Sequence, residues 1–344
     1  MSRASGNITG ELGGIRLRAA CYGLLGDFRR GMGLLGGGKE LVVQAGLQGG
    51  QIETLLMDIE ADFYQLKTEF SQARRIQEAI LHQTSAVLSP VMHAYVLVNI
   101  AFLDMVTGAG ANDVSCNLNA ALTLFQKAHY PRGVSYCHLF RADLRLREGD
   151  ATGARVEYMR LLSAARNNDD ELVCHCLAKL ADPTNPMHAD TECAQWTVVF
   201  LAFALRPLAR NPLTIHQALR RLGDVFLRQG ADETALRVLT VALDGFTQMD
   251  VHQGRAECMG TIGDVYMRRE DLCGAKEMWE AARPLFERSE QTTDIAGIDE
   301  RLKTLGIAQK LKEIPKVELS APQVNTQESS ADTKEKKPAF IPDL

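Results

Sequence analysis

The chain has 344 residues, of which 46% are hydrophobic and 24% are charged, so most of it is expected to fold, either as two ordinary domains or as one extended solenoid. A formal net charge of −5 is small for this length and argues against nucleic acid or an anionic membrane surface as the main partner. The eight cysteines lie mostly in helical patterns and no signal segment opens the chain, which predicts a cytoplasmic protein with free thiols. The longest apolar run, residues 196–205, is too short to cross a bilayer.

The first half of the chain shows apolar residues at helical spacing, interrupted at regular intervals by turn residues. Residues 1–10 are polar and Gly-rich and are expected to be loose, and residues 11–46 predict a helical hairpin that turns at Gly26-Asp27. A second hairpin follows with its turn at Phe70. The third hairpin begins at Pro90, where a missing N–H costs nothing in a first helical turn, and breaks around Gly108 and Gly110.

The next two hairpins differ in regularity. The fourth begins at Pro131 and turns at Gly149-Asp150. The fifth is the least regular, because Pro183 and Pro186 should stop its first helix early, and its second helix is expected to run from about residue 193 to residue 208.

One sequence pattern occurs twice between residues 216 and 290. Leu222-Gly223-Asp224-Val225-Phe226 is followed by Ile262-Gly263-Asp264-Val265-Tyr266 40 residues later, and Ala235, Leu239, Ala242 and Phe246 recur at the same offset as Ala275, Trp279, Ala282 and Phe286. The glycines should let each first helix approach its partner closely, and the alanines should line the contact stripe of the partner. A fixed period of about 40 residues with two amphipathic helices in each copy indicates an α-helical repeat.

The predicted structure and the composition both change near the end of the chain. Pro284 is expected to kink the last second helix, and residues 295–305 predict one more amphipathic helix that caps the solenoid with a polar outer face. Residues 313–344 are rich in Pro, Ser, Lys, Glu and Thr and are expected to be disordered. The apolar Phe340-Ile341 near the terminus is either an inert end or a short docking segment.

These repeats resemble the tetratricopeptide repeat in its longer form of about 40 residues. Several sequence segments are also similar to the C-terminal repeat region of the NACHT- or NB-ARC-type signalling ATPases of mushroom-forming fungi, over roughly residues 11–305. They include Leu146-Arg147-Glu148-Gly149-Asp150 and Gly245-Phe246-Thr247-Gln248-Met249-Asp250. In that family an N-terminal ATPase module drives oligomerisation, and the repeats sense a ligand or hold the protein closed. Only ten residues precede the repeats, so the resemblance implies an interaction surface without the ATPase module.

Residues 33–40 match the phosphate-binding pattern G-x-x-x-x-G-K and include Lys39. Glu40 stands where a Ser or Thr would hold magnesium, and the preceding segment has helical rather than strand spacing. We therefore interpret this stretch as a Gly-rich repeat helix or its break, and we expect the glycines to make the first hairpin the weakest.

Cys174-His175-Cys176 is the strongest candidate for a metal site. Residues two apart on a helix point in different directions, so the two thiols cannot easily share one ion, and core thiols are the better interpretation. No catalytic, metal or cofactor site is predicted, because no motif for nucleophilic or acid–base chemistry is found either.

An Asp and an Arg recur four residues apart on three first helices, as Asp143/Arg147, Asp224/Arg228 and Asp264/Arg268. They are either ordinary ion pairs worth roughly 0.2–0.5 kcal/mol each, or the charged lining of a concave groove that recognises a peptide. Tyr136 and Arg220 complete the predicted groove, with Leu139, Leu146, Leu227 and Met267 as apolar anchors.

The sequence thus predicts an all-α, right-handed solenoid of about seven hairpins with a capping helix, divided into residues 1–10, 11–312 and 313–344. Its expected function is a non-catalytic scaffold or sensor that binds a protein or peptide in its concave groove, with its oligomeric state left open. The alternative is a detached sensor domain of a fungal signalling ATPase that acts in trans.

Overall fold

The computed structural model describes residues 7–83, 88–108, 110–165, 169–187, 189–206 and 211–313. Fifteen α-helices occupy these residues and pair in chain order into seven hairpins and a final single helix. The helices are α1 (Ile8–Leu24), α2 (Phe28–Gln44), α3 (Gln51–Leu66), α4 (Phe70–Leu81), α5 (Pro90–Val106), α6 (Ala111–Lys127), α7 (Pro131–Arg147), α8 (Ala151–Ala165), α9 (Asp170–Leu180), α10 (Asp190–Ala204), α11 (Pro212–Arg228), α12 (Asp232–Met249), α13 (His252–Arg268), α14 (Leu272–Arg288) and α15 (Thr292–Glu313). No described helix is both long and apolar enough to span a membrane.

The turns inside the hairpins follow the residues that the sequence marks. Gly26, Gly149 and Gly230 have φ of 72°, 92° and 78°, the left-handed conformation that ends a helix at little cost in glycine. The second hairpin is different: its turn lies at residues 67–69 with Thr68 at φ 64°, and Phe70 is the first residue of α4 rather than the turn. A β-branched residue rarely adopts this conformation, so no turn could be predicted at Thr68 from the residue type.

The predicted close approach within hairpins six and seven is confirmed. A Cβ atom added to Gly223 would lie 2.5 Å from Leu239 Cγ, and one added to Gly263 would overlap the indole of Trp279. Leu239 is fully buried and Trp279 is 2% exposed, so each large side chain fills the space that the facing glycine leaves open.

Several helix boundaries differ from the sequence-based expectation. Helix α1 begins at Ile8, inside the stretch expected to be loose, because Asn7 caps it by accepting a hydrogen bond from Gly10 N–H. Helix α10 spans Asp190–Ala204 rather than about residues 193–208, and α14 continues through Pro284 to Arg288, whereas α9 ends at Leu180, before the two prolines, as expected. Residues 314–344, including Phe340-Ile341, lie outside the described residues.

The hairpins stack into a right-handed α-solenoid, and α15 covers the last hairpin with buried Ile298 and Leu305. Successive first helices lie close together, for example α5 with α7 and α11 with α13, whereas no two second helices are in comparable contact among the described residues. The first helices therefore form the inner layer of the curve, and we call the inner surface that they line the concave groove.

Candidate functional site

The three predicted arginines do not bind the aspartate one turn before them. Arg147 donates to Met105 O at 2.9 Å, Arg228 to Pro183 O at 2.9 Å, and Arg268 to Leu227 O. Each acceptor lies at or just beyond the C-terminal end of the first helix of the preceding hairpin, where carbonyl groups lack partners within the helix. The arginines therefore cap the neighbouring first helix and bind it to their own.

The predicted aspartates make the complementary contact, toward the following hairpin. Thr261 Oγ1 donates to Asp224 at 3.1 Å, and Arg301 binds Asp264 with two hydrogen bonds of 2.8 and 3.0 Å. Asp143 lies 3.0 Å from His175 Nε2. The expected pairs Asp143/Arg147, Asp224/Arg228 and Asp264/Arg268 are thus not formed, because these charges join successive hairpins; Asp224 pairs instead with Arg220 on its own helix.

Two of the predicted groove residues are buried in these junctions. Asp143 is 5% exposed, and although burial raises its pKa, the charges of Lys179 and His175 and the hydrogen bonds from His175 and Tyr158 lower it to about 2. Arg220 is 8% exposed and binds Asp224 at 3.1 Å and Glu257 at 2.9 Å. Both side chains stabilise the solenoid. The proposed anchor Leu139 is likewise fully buried in the core.

Tyr136 belongs to a polar cluster at the start of α7 and α9. Arg132 binds Asp169 at 2.8 Å and Glu171 at 3.1 Å, and its guanidinium lies 5.6 Å from the centre of the Tyr136 ring. Burial raises the pKa of the Tyr136 hydroxyl, and the charges of Glu171 and Asp169 raise it further, so the phenol keeps its proton. Arg132 and Glu171 are 49% and 73% exposed at their side chains. The cluster therefore presents a cation and a carboxylate to solvent, beside a half-buried phenol.

A second group of acids lies on α3 of the second hairpin. Asp62 is accessible to solvent but is surrounded by protein in the groove, and this desolvation, followed by the charges of Asp58 and Glu171, raises its pKa well above the usual range. Glu171 is 109 positions further along the chain, but α3 and α9 are both first helices and so line the same concave groove. Gln77 donates to Asp58 at 3.3 Å and fixes this end of the acidic pair.

The remaining predicted residues border a cleft near the last hairpin. Asp264, Arg268 and Arg301 line an open space of about 450 Å³ together with Met267 and Trp279. Burial raises the pKa of Asp264, although the hydrogen bond and charge of Arg301 oppose this change. The cleft thus combines an ion pair with the edge of an indole.

The two motifs that suggested chemistry take structural roles. The Gly-rich stretch at residues 33–40 lies inside α2, and Lys39 binds Glu60 at 2.9 Å instead of facing a loop. In the stretch 174–176, His175 binds Asp143 and Cys176 is buried. No group of three potential metal ligands is found among the described residues.

Sequence reasoning missed Arg132, Asp62 and Glu171. Asp58 and Asp62 are four residues apart and so share one helix face, which was a readable signal. Nothing in the sequence places Glu171 near them, because that proximity depends on the curvature summed over the hairpins between.

No protein-family model and no curated protein matches the chain. Solved structures do match it. A Rap protein complexed with Competence and Sporulation Factor is similar with a TM-score of 0.55 and 11% identity, over 88% of this chain and 99% of that chain. A signal transduction ATPase with numerous domains (STAND), with a tetratricopeptide repeat sensor, from Pyrococcus horikoshii is similar with a TM-score of 0.53 and 14% identity. That match covers 92% of this chain but 48% of the other, so this chain spans about half of that protein.

At these identities the likeness shows the fold alone. The chain is a tetratricopeptide-like α-solenoid, as its periodicity predicted.

Proposed function

We propose that this chain is a non-catalytic interaction module that binds an extended protein or peptide segment in its concave groove. The observation that carries the proposal is the cluster of exposed Arg132 and Glu171 with half-buried Tyr136 on the inner layer, which Asp62 on α3 also lines. Peptides expose backbone donors and acceptors in addition to side chains, and a cation, a carboxylate and a phenol together satisfy both kinds. A cytoplasmic location, inferred from the eight cysteines, belongs to the same proposal.

The similarity to a Rap protein that was solved in complex with Competence and Sporulation Factor supports the binding of a partner. Of the residues that the sequence suggested, Tyr136 lies in the cluster and Asp264 and Arg268 border the cleft. Arg147, Asp224 and Arg228 contribute through the helix junctions that shape the groove, as do the buried Asp143 and Arg220.

A display library of random peptides tests this proposal. Peptides enriched on the wild-type protein should lose binding to Glu171→Lys, because the reversed charge repels Arg132 and alters the groove. Glu233→Lys is the matched control, since Glu233 is also an exposed first-turn glutamate bound to an arginine, Arg269 at 2.8 Å, but lies on a second helix. The proposal fails if no peptide is enriched on the wild-type protein, or if both variants bind the enriched peptides equally.

The non-catalytic part of the proposal has its own test. Purified protein should not hydrolyse ATP or GTP above background, because Lys39 is held by Glu60 on a helix. Nucleotide turnover that Lys39→Ala abolishes would contradict it.

A second candidate function is that of a sensor domain for a signalling ATPase, acting in trans or as part of a longer chain. It is favoured by the similarity to the tetratricopeptide repeat sensor of the STAND protein and by the resemblance to fungal NACHT- or NB-ARC-type ATPases. The genomic sequence upstream of Met1 separates the forms. An in-frame P-loop module would support a fragment of such an ATPase, and an in-frame stop codon would contradict it.

A further inference from the structure

The solenoid closes on itself after one turn, because two of its connecting turns meet. One is the turn between α3 and α4, and the other is the turn between α12 and α13. Lys67 Nζ lies 2.9 Å from Asp250 Oδ2, and His252 Nε2 lies 3.2 Å from Glu69 Oε1. Arg288, at the end of α14, donates to the same Glu69 oxygen at 2.9 Å. These contacts join residues between 183 and 219 positions apart.

Backbone groups take part in the same contact. His252 N–H donates to Lys67 O at 3.4 Å, and Gln253 N–H donates to Thr68 Oγ1 at 3.1 Å. Ser71 N–H donates to Glu290 Oε1 at 3.1 Å. The unusual left-handed conformation of Thr68 therefore coincides with the use of its hydroxyl across the contact.

Glu69 is the centre of this contact. Its side chain is 14% exposed, and it accepts from Lys67, His252 and Arg288. Burial alone would raise its pKa, but the hydrogen bond and charge of Lys67, together with His252 and Arg288, lower it, so the carboxylate is ionised. His252 is 1% exposed between Glu69 and Asp250, with Arg255 also near Asp250.

An apolar contact accompanies the polar one. Met249 lies against Gly26 in the turn of the first hairpin, where an added Cβ would be 2.7 Å from its Sδ atom. Met249, Phe246 and Val251 share a buried cluster with Leu12 and Phe28 of the first hairpin. The two ends of the superhelical turn are thus complementary in shape and in charge.

The polar part of the contact lies at turns and helix ends, at the edges of the hairpins. Every pair of described helices in extensive contact is adjacent or one helix apart in the sequence. In such a chain each hairpin is held by its neighbours, so small rotations at several junctions can separate the two edges without unfolding any helix.

We propose that Lys67, Glu69, Asp250, His252 and Arg288 form a reversible clasp that holds the superhelix in its one-turn closed form and sets the width of the concave groove. Loss of the clasp separates the two edges and lengthens the molecule. The proposal goes beyond peptide binding, since it concerns the protein without any ligand.

Small-angle X-ray scattering of full-length Glu69→Lys tests the clasp. The variant places a cation beside Lys67, Arg288 and His252, so its radius of gyration and maximum dimension should exceed those of the wild type, with unchanged helical circular dichroism. Glu60→Lys is the matched control: Glu60 is 12% exposed and binds Lys39 at 2.9 Å, but this pair joins adjacent hairpins. The control should keep the wild-type dimensions. Wild-type dimensions for Glu69→Lys would overturn the proposal, as would an equal expansion of both variants.

If Glu69→Lys loses helicity, hydrogen exchange on the wild-type protein tests the clasp instead. Raising the salt to about 1 M shortens the Debye length to about 3 Å and should weaken the clasp. The amides of Ser71, His252 and Gln253 should then exchange faster, while the amide of Val265 inside α13 stays protected. The proposal would be overturned if each of the four amides were protected equally well at low and at high salt.

Discussion

In two parts of the solenoid, neighbouring helices are held together by different kinds of contact. In hairpins six and seven, Gly223 and Gly263 accept the large side chains of Leu239 and Trp279 from the facing second helix. At the junction of hairpins four and five, the buried Asp143 instead binds Tyr158 on α8 and His175 and Lys179 on α9. The first contact depends on shape and the second on charge.

The difference shows how far a repeat can depart from its period and still stack. Packing of a glycine against a large residue requires both residues at fixed positions, and the 40-residue spacing preserves them. The fifth hairpin has an 11-residue first helix and two prolines after it, so it cannot keep that register. A carboxylate with three partners tolerates the altered geometry, because hydrogen bonds form over a range of angles.

The largest effect is expected when the shape-based contact is broken. Gly263→Val should lower the free energy of unfolding by about 3 kcal/mol, because its side chain would overlap Trp279 and disturb the indole, which donates to Gly260 O at 3.0 Å. Urea denaturation followed by circular dichroism and by tryptophan fluorescence measures this loss. Wild-type stability would mean that hairpin seven tolerates a wider separation of its helices.

A smaller loss is expected from the charge-based contact. Asp143→Asn should destabilise the protein by about 1–3 kcal/mol, since His175 and Lys179 lose their anion but remain partly exposed to water. Asp299→Asn, which removes an exposed partner of Arg283, is the control and should have little effect.

The pH dependence of the same network has a defined sign. The pKa of Asp143 is lowered to about 2 in the folded protein from an ordinary value near 3.8, so its contribution is present above pH 4 and is lost as the pH falls through about 2. Thermal unfolding between pH 5 and about 2 should therefore show a steeper loss for the wild type than for Asp143→Asn. Parallel profiles would show that other carboxylates dominate.

The periodic arginine caps are expected to contribute less. Arg268→Met should cost at most about 1 kcal/mol, because it removes a hydrogen bond to Leu227 O and an ion pair with Asp232 at 3.3 Å from a side chain that is 45% exposed. Arg237→Met, at a more exposed arginine that binds Glu233 on its own helix at 3.3 Å, provides the comparison. A larger loss for Arg237→Met would contradict the capping role.

The smallest effect is expected in the opposite direction. Gly36→Ala should stabilise α2 by up to about 1 kcal/mol, since Gly36 is exposed and an added Cβ would meet no atom within 4 Å. It is also the control for Gly263→Val, because both remove a helical glycine. A loss of stability would imply that α2 needs its glycines for a contact not visible in its packing.

The sequence predicted the features that depend on local spacing. The hairpins, the glycine turns at Gly26, Gly149 and Gly230, and the close approach of the helices at Gly223 and Gly263 all follow from periods of 3.6 and 40 residues. The partners of the charged residues could not be predicted from these periods. An Asp–Arg spacing of four is equally consistent with a pair inside one helix and with contacts to the two neighbouring hairpins. The turn at Thr68 was misplaced, since its unusual conformation is imposed together with a contact to residues more than 180 positions away.

The closure between the second and seventh hairpins also has a consequence for folding. Contacts between adjacent helices form early in a folding chain, whereas a contact spanning 183 positions must await the ordering of everything between. Because the stacked hairpins form a stiff arc, they already hold the two edges near each other. The conformational entropy lost when the contact forms is therefore smaller than for a flexible loop of that length. The end-to-end contact is therefore expected to form last, and a lesion in the fifth hairpin, which does not touch it, should slow its formation.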